Sequence, residues 1–162
     1  MAAVDYFLKL DGIEGESADD KHKNEIELDS FSWGATQQGT AGTHTGAGAG
    51  KVNMQDIHFT SKLSKASPKL ALAVATGQAV KEATLTVRKA GGKQEEYFTI
   101  KLSDTLVSSY QTGGSGHGDV VPVDQFSLNF AKIEIKYKPQ QKDGSLGADV
   151  LAGYDVAANK KL

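Results

Sequence analysis

Apolar and polar residues alternate over short runs along most of the chain. Residues 83–88 and 97–102 are two such runs, and the segment 90–93 between them contains a pair of glycines. A period of two residues is typical of half-buried β-strands, and two alternating runs around a glycine pair predict a hairpin. The chain is therefore predicted to be mainly β.

Three of the predicted strands change phase along their length. In the second strand the apolar positions are first Ile26 and Leu28 and then, after residues 29–30, Phe31 and Trp33. The other two changes fall across residues 55–56 and between positions 130 and 133. One additional residue moves the apolar side chains of a strand to the other face, so each change predicts a β-bulge or a strand that bends from one sheet into another. Bent strands of this kind favour a sheet that curls into a barrel.

One segment has the pattern of a short helix. Ser67 is a suitable N-cap, Pro68 would occupy the first helical position, and Gly77 provides a C-terminal stop. Between them the apolar residues recur at the i, i+3, i+4 spacing: Leu70, Ala73 and Val74. The predicted fold is thus a single domain, residues 1–162, formed by a bent-strand β-barrel with one short flanking α-helix.

Two glycine-rich stretches are predicted to be loops, and the shorter one covers residues 113–118. The longer one is an extended loop formed by Gly39, Thr40, Ala41, Gly42, Thr43, His44, Thr45, Gly46, Ala47, Gly48, Ala49 and Gly50. Neither loop carries large side chains that could pack. Each is therefore expected to be exposed, or to be ordered by contacts outside its own domain.

The charge balance narrows the choice of partners. The chain has 18 basic and 20 acidic residues interleaved along its length, for a net charge of -2, and so lacks the positive field that non-specific nucleic-acid binding requires. We expect no nucleic-acid partner. Without an apolar run of about 18 residues, no membrane insertion is expected either.

The N-terminus has no basic segment followed by an apolar run, so no signal peptide is predicted. We expect the protein to be made in the cytoplasm, and any export to use a route other than general secretion. The absence of cysteine removes disulfides and thiolate catalysis.

No segment carries a complete catalytic or cofactor motif. Residues 46–51 resemble a phosphate-binding loop, but the pattern needs glycine at position 45 and a hydroxyl residue at position 52, where the chain has threonine and valine. Ser115 lacks the strand-to-helix context of a nucleophile elbow. The histidines lack the helical spacing of metal ligands and are expected on the surface: His22, His44, His58 and His117. We therefore predict no cofactor, no metal site and no enzyme activity.

Two further groups of residues have a structural and a functional interpretation. The acidic residues Glu14, Glu16, Asp19 and Asp20 are expected to form a solvated turn, in preference to a pair of catalytic carboxylates. The aromatic residues Phe31 and Trp33 could stack on a sugar, although alternating aromatic residues more often belong to a core.

Several motifs, in order from end to end, make the chain resemble the Hcp (haemolysin-coregulated protein) family, the tube proteins of bacterial type VI secretion systems. They are DYFLKL at 5–10, GES at 15–17, EIELDSFSWG at 25–34, GKV at 50–52 with QD at 55–56, SPKL at 67–70, RKAGG at 88–92, EY at 96–97, LVSS at 106–109, SLNFAKIE at 127–134 and YKPQ at 137–140. The chain departs from the family mainly in the long glycine-rich loop and after residue 141.

The resemblance implies a subunit that forms homohexameric rings. Such rings stack into a hollow tube, which a contractile sheath expels behind a VgrG spike, and the tube can carry or protect small effectors in its lumen. Secretion would then use the type VI system without a signal peptide.

By position, Ser32 matches the family's small residue that faces the lumen, and Ser30 shares its face. Alternation agrees, because Phe31 and Trp33 are expected to face the core. The loop 39–50 corresponds to the family's extended loop, which contacts a neighbouring ring. The alternative is a monomeric, lectin-like barrel that binds a ligand near Trp33.

Overall fold

The structure is a computed structural model that describes residues 4–37, 52–91, 93–118 and 121–162. The elements within these ranges are β1 Val4–Leu10, β2 Ile26–Ser32, β3 Ala35–Gln37, β4 Val52–Met54, β5 Ile57–Lys62, α1 Ala66–Thr76, β6 Ala79–Lys89, β7 Glu96–Gly113, β8 Val123–Tyr137, β9 Val150–Asp155 and β10 Lys160–Lys161. The prediction of a mainly β fold with one helix is confirmed.

Six strands close a barrel. They follow the order β8-β5-β2-β1-β6-β7, and β7 pairs with β8 again. All of these pairings are antiparallel, and the predicted hairpin is formed by β6 and β7, with Val87 opposite Phe98. Strands β9 and β10 continue the sheet beyond β8. Leucine, isoleucine and phenylalanine side chains fill the interior, where the rings of Phe59 and Phe126 stack at 5.2 Å.

The phase change in β2 corresponds to a bulge at the predicted position. The register of β2 against β5 shifts between Leu28 and Ser30. Because of the additional residue, Ile26 and Leu28 are buried and Phe31 still packs against the same core. The bulge therefore keeps the apolar side chains on one face of a strand whose sequence alternation is interrupted.

The other two phase changes mark places where the chain passes from one sheet neighbour to another. Across residues 55–56, β4 ends and β5 begins, and these strands lie in different sheets. In β8, residues 123–128 pair with β5 and residues 132–137 pair with β9, while β7 accompanies both parts. The first change therefore separates two strands, and the second falls where β8 changes its neighbour while staying within one sheet.

The N-terminus of α1 corrects one prediction. The N-cap is Lys65, without a side-chain cap, and Ser67 lies inside the helix, so its predicted role as N-cap is wrong. Its hydroxyl instead donates to the buried carboxylate of Asp124 on β8 and accepts the Ser64 N–H at 3.0 Å. Tyr110 also donates to Asp124, at 3.0 Å, and burial together with this bond raises the pKa of the Tyr110 hydroxyl. Ser67 thus connects the helix to the barrel.

Pro68 also differs from the prediction, because the helix begins at Ala66 and Pro68 occupies its third position instead of the first. The predicted C-terminus is confirmed. Gly77 ends the helix in the left-handed conformation, with φ of 67°, and its N–H donates to the carbonyl of Ala73. Leu70 and Ala73 are buried, but Val74, expected on the same face, is 38% exposed and Leu72 is 59% exposed. The helix therefore keeps apolar side chains in contact with solvent.

Candidate functional site

Four strands share an outer face that carries uncharged polar side chains in two rows. The pairing of β2, β5, β8 and β7 places opposite one another the residues of the first row: Ser32, His58, Ser127 and Ser109. The second row, by the same pairings, consists of Ser30, Thr60, Gln125 and Gln111. Residues directly opposite in antiparallel strands lie on the same face. We call these eight residues the polar wall.

The polar wall is partly held together by its own hydroxyl groups. Ser30 Oγ and Thr60 Oγ1 are 2.6 Å apart. Ser127 is buried, and its hydroxyl contacts those of Ser108 at 2.8 Å and Ser109 at 2.5 Å. A register shift in β7 between Val107 and Ser109 allows both serines to reach it. Exposed groups of the wall remain free to exchange hydrogen bonds with water or a ligand.

The opposite side of the same strands forms the core. Phe31, Phe59, Phe126 and Tyr110 face one another there, in register across the four strands. Ser30 and Ser32 are exposed, so they lie on the face away from the core, as the alternation predicted. Trp33 is only half-buried, and its indole N–H donates to the carbonyl of Gln55 at 3.0 Å. Whether the two serines line a lumen stays a prediction.

The polar wall contains no carboxylate, lysine or arginine. Charged residues lie at its ends: Lys62 lies 3.8 Å from Asp29, and the Asp56 carboxylate accepts a hydrogen bond from the neutral amide of Asn129 at 2.8 Å. The outer face formed by β6 to β9 differs, because charged residues occupy it: Glu82, Lys101, Lys132, Glu134 and Lys136. The barrel therefore presents two outer surfaces with different chemistry.

Both outer strands of the polar wall have an open edge. β1 pairs with β2 only at Ile26 and Glu27, and the pairing of β7 with β6 ends at Leu106 of β7. Among the described strands, residues 30–32 of β2 therefore pair on one side only, with β5, and residues 107–113 of β7 pair only with β8. Exposed strand edges are templates for pairing with another chain.

A buried ionic cluster, which the sequence did not predict, holds residues 11–25 against β1 and β6. Arg88 is 2% exposed and donates to Asp19 at 2.9 and 2.5 Å and to Asp5 at 3.2 Å. The hydrogen bonds from Arg88 lower the pKa of Asp19 to about 2. Asp19 is therefore not part of a solvated acidic turn, which corrects that expectation.

The same cluster corrects the prediction for one histidine. His22 is buried, and its ring stacks on Phe7 with centroids 4.4 Å apart. Its two ring nitrogens lie 2.9 Å from Glu25 and 2.7 Å from Glu96. Arg88 lies over the same phenylalanine ring, at 4.7 Å from its centroid. His22 and Glu96 are 74 positions apart in the sequence, so no local sequence pattern could have predicted this pair.

The other candidate site residues that the structure describes do not come together in one site. Ser115 accepts the backbone N–H of His117 at 3.3 Å in an exposed loop. The long loop, residues 39–50, lies outside the described residues. Within the ranges that are described, no group of histidine and acidic side chains could hold a metal ion. In the same ranges, no helix is both long and apolar enough to cross a membrane.

Comparison with known proteins supports the family resemblance that the sequence motifs indicated. A family model described as "Type VI secretion system effector, Hcp" matches residues 7–137. The protein hcp1 of Pseudomonas aeruginosa is 43% identical over 159 residues, which cover 97% of this chain and 98% of that protein.

Solved structures show the same fold. The crystal structure of Hcp1 from Salmonella typhimurium has a TM-score of 0.82 at 35% identity, with 99% of this chain and 100% of that chain covered. A structure described as a type six secretion system protein has a TM-score of 0.92 at 33% identity, with the same coverage. Since the family model spans most of the sequence and the Pseudomonas relative covers nearly all of it, this chain belongs to the Hcp family of type VI secretion proteins.

Proposed function

We propose that the protein is the tube subunit of a type VI secretion system, with the polar wall facing the lumen. Six copies would form a ring, and rings would stack into a hollow tube that carries small effectors. The observation that supports this most is the four-stranded polar wall, which has an open edge on each side. Family membership supports the secretion role.

The two open edges suggest how a ring forms. Residues 30–32 of one copy would pair with residues 107–113 of the next, so that each copy uses two different surfaces. A heterologous interface of this kind produces a ring when its rotation closes. The β7 side also offers apolar area, because α1 packs against β7 and leaves Leu72 and Val74 exposed.

The chemistry of the wall suits a conduit. A wall without fixed charges neither attracts nor repels a cargo strongly by its net charge. Its hydroxyl and amide groups can exchange hydrogen bonds with water as readily as with a protein surface. Cargo could therefore be held by many weak contacts and still be released.

Further partners follow from the family resemblance. We infer that the contractile sheath surrounds the tube, that the VgrG spike caps it, and that the tube leaves the cell through the type VI system. The loop 39–50 would contact the neighbouring ring. Deleting residues 41–48 should then leave isolated rings intact and impair tube growth in cells, and undiminished tube growth would refute the role of the loop.

Ring formation is tested by native mass spectrometry and negative-stain imaging of the purified protein. A hexamer with a central hole is expected, whereas a 17.1 kDa monomer would favour the ligand-binding alternative. Leu72→Lys should weaken the ring, because it places a charge beside the β7 edge. Leu162→Lys is the matched control: Leu162 is 49% exposed but lies beside Gly153 of β9, away from the polar wall. Equal effects of the two variants would count against this interface.

Orientation of the wall needs a separate test. Ser32→Arg should leave the ring intact and reduce co-purification of a co-expressed effector, because a long charged side chain would enter the lumen. Thr84→Arg is its control, since Thr84 lies on the other outer face. Unchanged effector recovery with intact Ser32→Arg rings would show that Ser32 does not contact cargo.

A further inference from the structure

One member of the polar wall differs from the other seven. His58 is the only titratable residue among the eight, and it lies in the first row between Ser32 and Ser127. Its side chain is exposed, and no other described side chain forms a hydrogen bond or an ion pair with it. Both ring nitrogens are therefore available to a ligand.

The residues opposite His58 on the two adjacent strands do not supply a counter-charge. On β2 it faces Ser32 and Ser30, and on β8 it faces Ser127, Gln125 and Asn129, all uncharged. Along β5, Thr60 follows on the same face. The nearest carboxylate in sequence is Asp56, two residues before it, which already accepts a hydrogen bond from Asn129 at 2.8 Å.

We propose that His58 is a cargo-contacting residue and that its protonation converts the polar wall into a binding surface for acidic segments, rich in aspartate and glutamate. Histidine is the side chain that gains a charge between pH 8 and pH 5. Because the wall has no other charge, one proton per copy changes it from neutral to positive. The location of His58 inside a lumen rests on the proposed function, but its position on the wall does not.

A closed ring would amplify the effect. Each copy contributes one imidazole at the level of Ser32, so a ring would acquire a belt of positive charge on acidification. Charges of one sign that line a cavity with low-dielectric walls reinforce one another's field. Acidic segments should then be retained more strongly at pH 6 than at pH 8, and lysine-rich segments more weakly.

The probes are fluorescein-labelled decapeptides of alternating Glu-Gly and Lys-Gly sequence, and binding to purified protein is measured by fluorescence anisotropy at both pH values. Wild type should bind the acidic peptide about fivefold more tightly at pH 6. His58→Gln should lose this gain, and His58→Lys should bind the acidic peptide tightly at both pH values.

His117→Gln is the matched control. It removes an exposed histidine from the loop 113–118 and changes the net charge by the same amount, but it lies outside the polar wall. It should behave as wild type. If His58→Gln keeps the fivefold gain, or if His117→Gln loses it equally, the inference is overturned.

Native mass spectrometry of the same samples separates this inference from the proposed tube. Rings without any pH effect on peptide binding would leave the tube proposal standing and refute the role of His58. A pH effect that depends on His58 in a protein that stays monomeric would support the site and refute the ring.

Discussion

Replacing Arg88 with methionine should destabilise the fold through the carboxylates that it leaves behind. The substitution keeps much of the aliphatic length of the side chain but removes five donors and the positive charge. Arg88 is 2% exposed, and its guanidinium bonds both Asp19 and Asp5. Without it, two carboxylates would face each other beneath the segment 11–25.

The size of the effect can be worked out from the structure. Removing one partner of a buried ion pair costs about 3–5 kcal/mol. Here the Asp19 and Asp5 side chains keep 19% and 31% of their exposure, so water screens part of this and we expect about 2–3 kcal/mol. The same contact lowers the pKa of Asp19 from 3.8 to about 2, which corresponds to about 2 kcal/mol of stabilisation of its ionised form.

The pH dependence has a definite sign. The pKa of Asp19 is lower in the folded protein than in the unfolded chain, so its contribution is fully present above the unfolded value of 3.8. It is lost as pH falls from that value towards about 2. Arg88→Met should therefore lose stability at neutral pH, and its stability should fall less than that of wild type across this acid window.

Urea unfolding followed by circular dichroism measures both effects. Because assembly would add to stability, the midpoint is compared at several protein concentrations. Lys101→Met serves as the control, since Lys101 lies 3.5 Å from Glu82 with 44% of its side chain exposed, and a change of no more than about 0.5 kcal/mol is expected. A loss below about 1 kcal/mol for Arg88→Met, or an unchanged acid window, would refute the reasoning.

Three further substitutions test the fold by urea unfolding. Gly15→Ala would place its Cβ 2.5 Å from the carbonyl oxygen of Glu25, and the required backbone shift should cost about 2–3 kcal/mol; wild-type stability would show that the segment moves freely. Gly77→Ala must adopt a left-handed conformation and should cost about 1 kcal/mol, and no change would mean that the helix ends differently. Asp124→Asn weakens the bond from Ser67 and should cost about 1–3 kcal/mol, with earlier proteolysis in α1; unchanged stability and proteolysis would contradict the tether.

The sequence was sufficient to predict the mainly β fold, the hairpin of β6 and β7 and the bulge in β2, because all three follow from the period of two. Alternation depends only on which face of a strand is buried, and a bulge leaves its mark as a change of phase. The exposed positions of Ser30 and Ser32 followed from the same rule. The family motifs then indicated a role in type VI secretion, which the alternation of apolar and polar residues cannot indicate.

Long-range partners could not be predicted in this way. The hydrogen bond from Arg88 to Asp19 joins positions 69 apart, and neither residue differs locally from a solvated charge. The prediction of the helix N-terminus was wrong for a related reason. Asp124 is buried and needs donors, so Ser67 donates to it instead of capping the helix. Local capping propensity does not take into account that a buried carboxylate on another strand needs a hydrogen-bond donor.

The two bulges explain why the polar wall has open edges. The register shift in β2 follows directly after the last residues that pair with β1, and the shift in β7 follows directly after the last that pair with β6. A bulge increases the local twist of a strand, so each outer strand turns away from its barrel neighbour at that point. At both ends of the wall the bulge keeps apolar side chains in the core, and among the described strands it leaves backbone groups without a strand partner. In the ring proposed above, each copy would use one open edge of each kind.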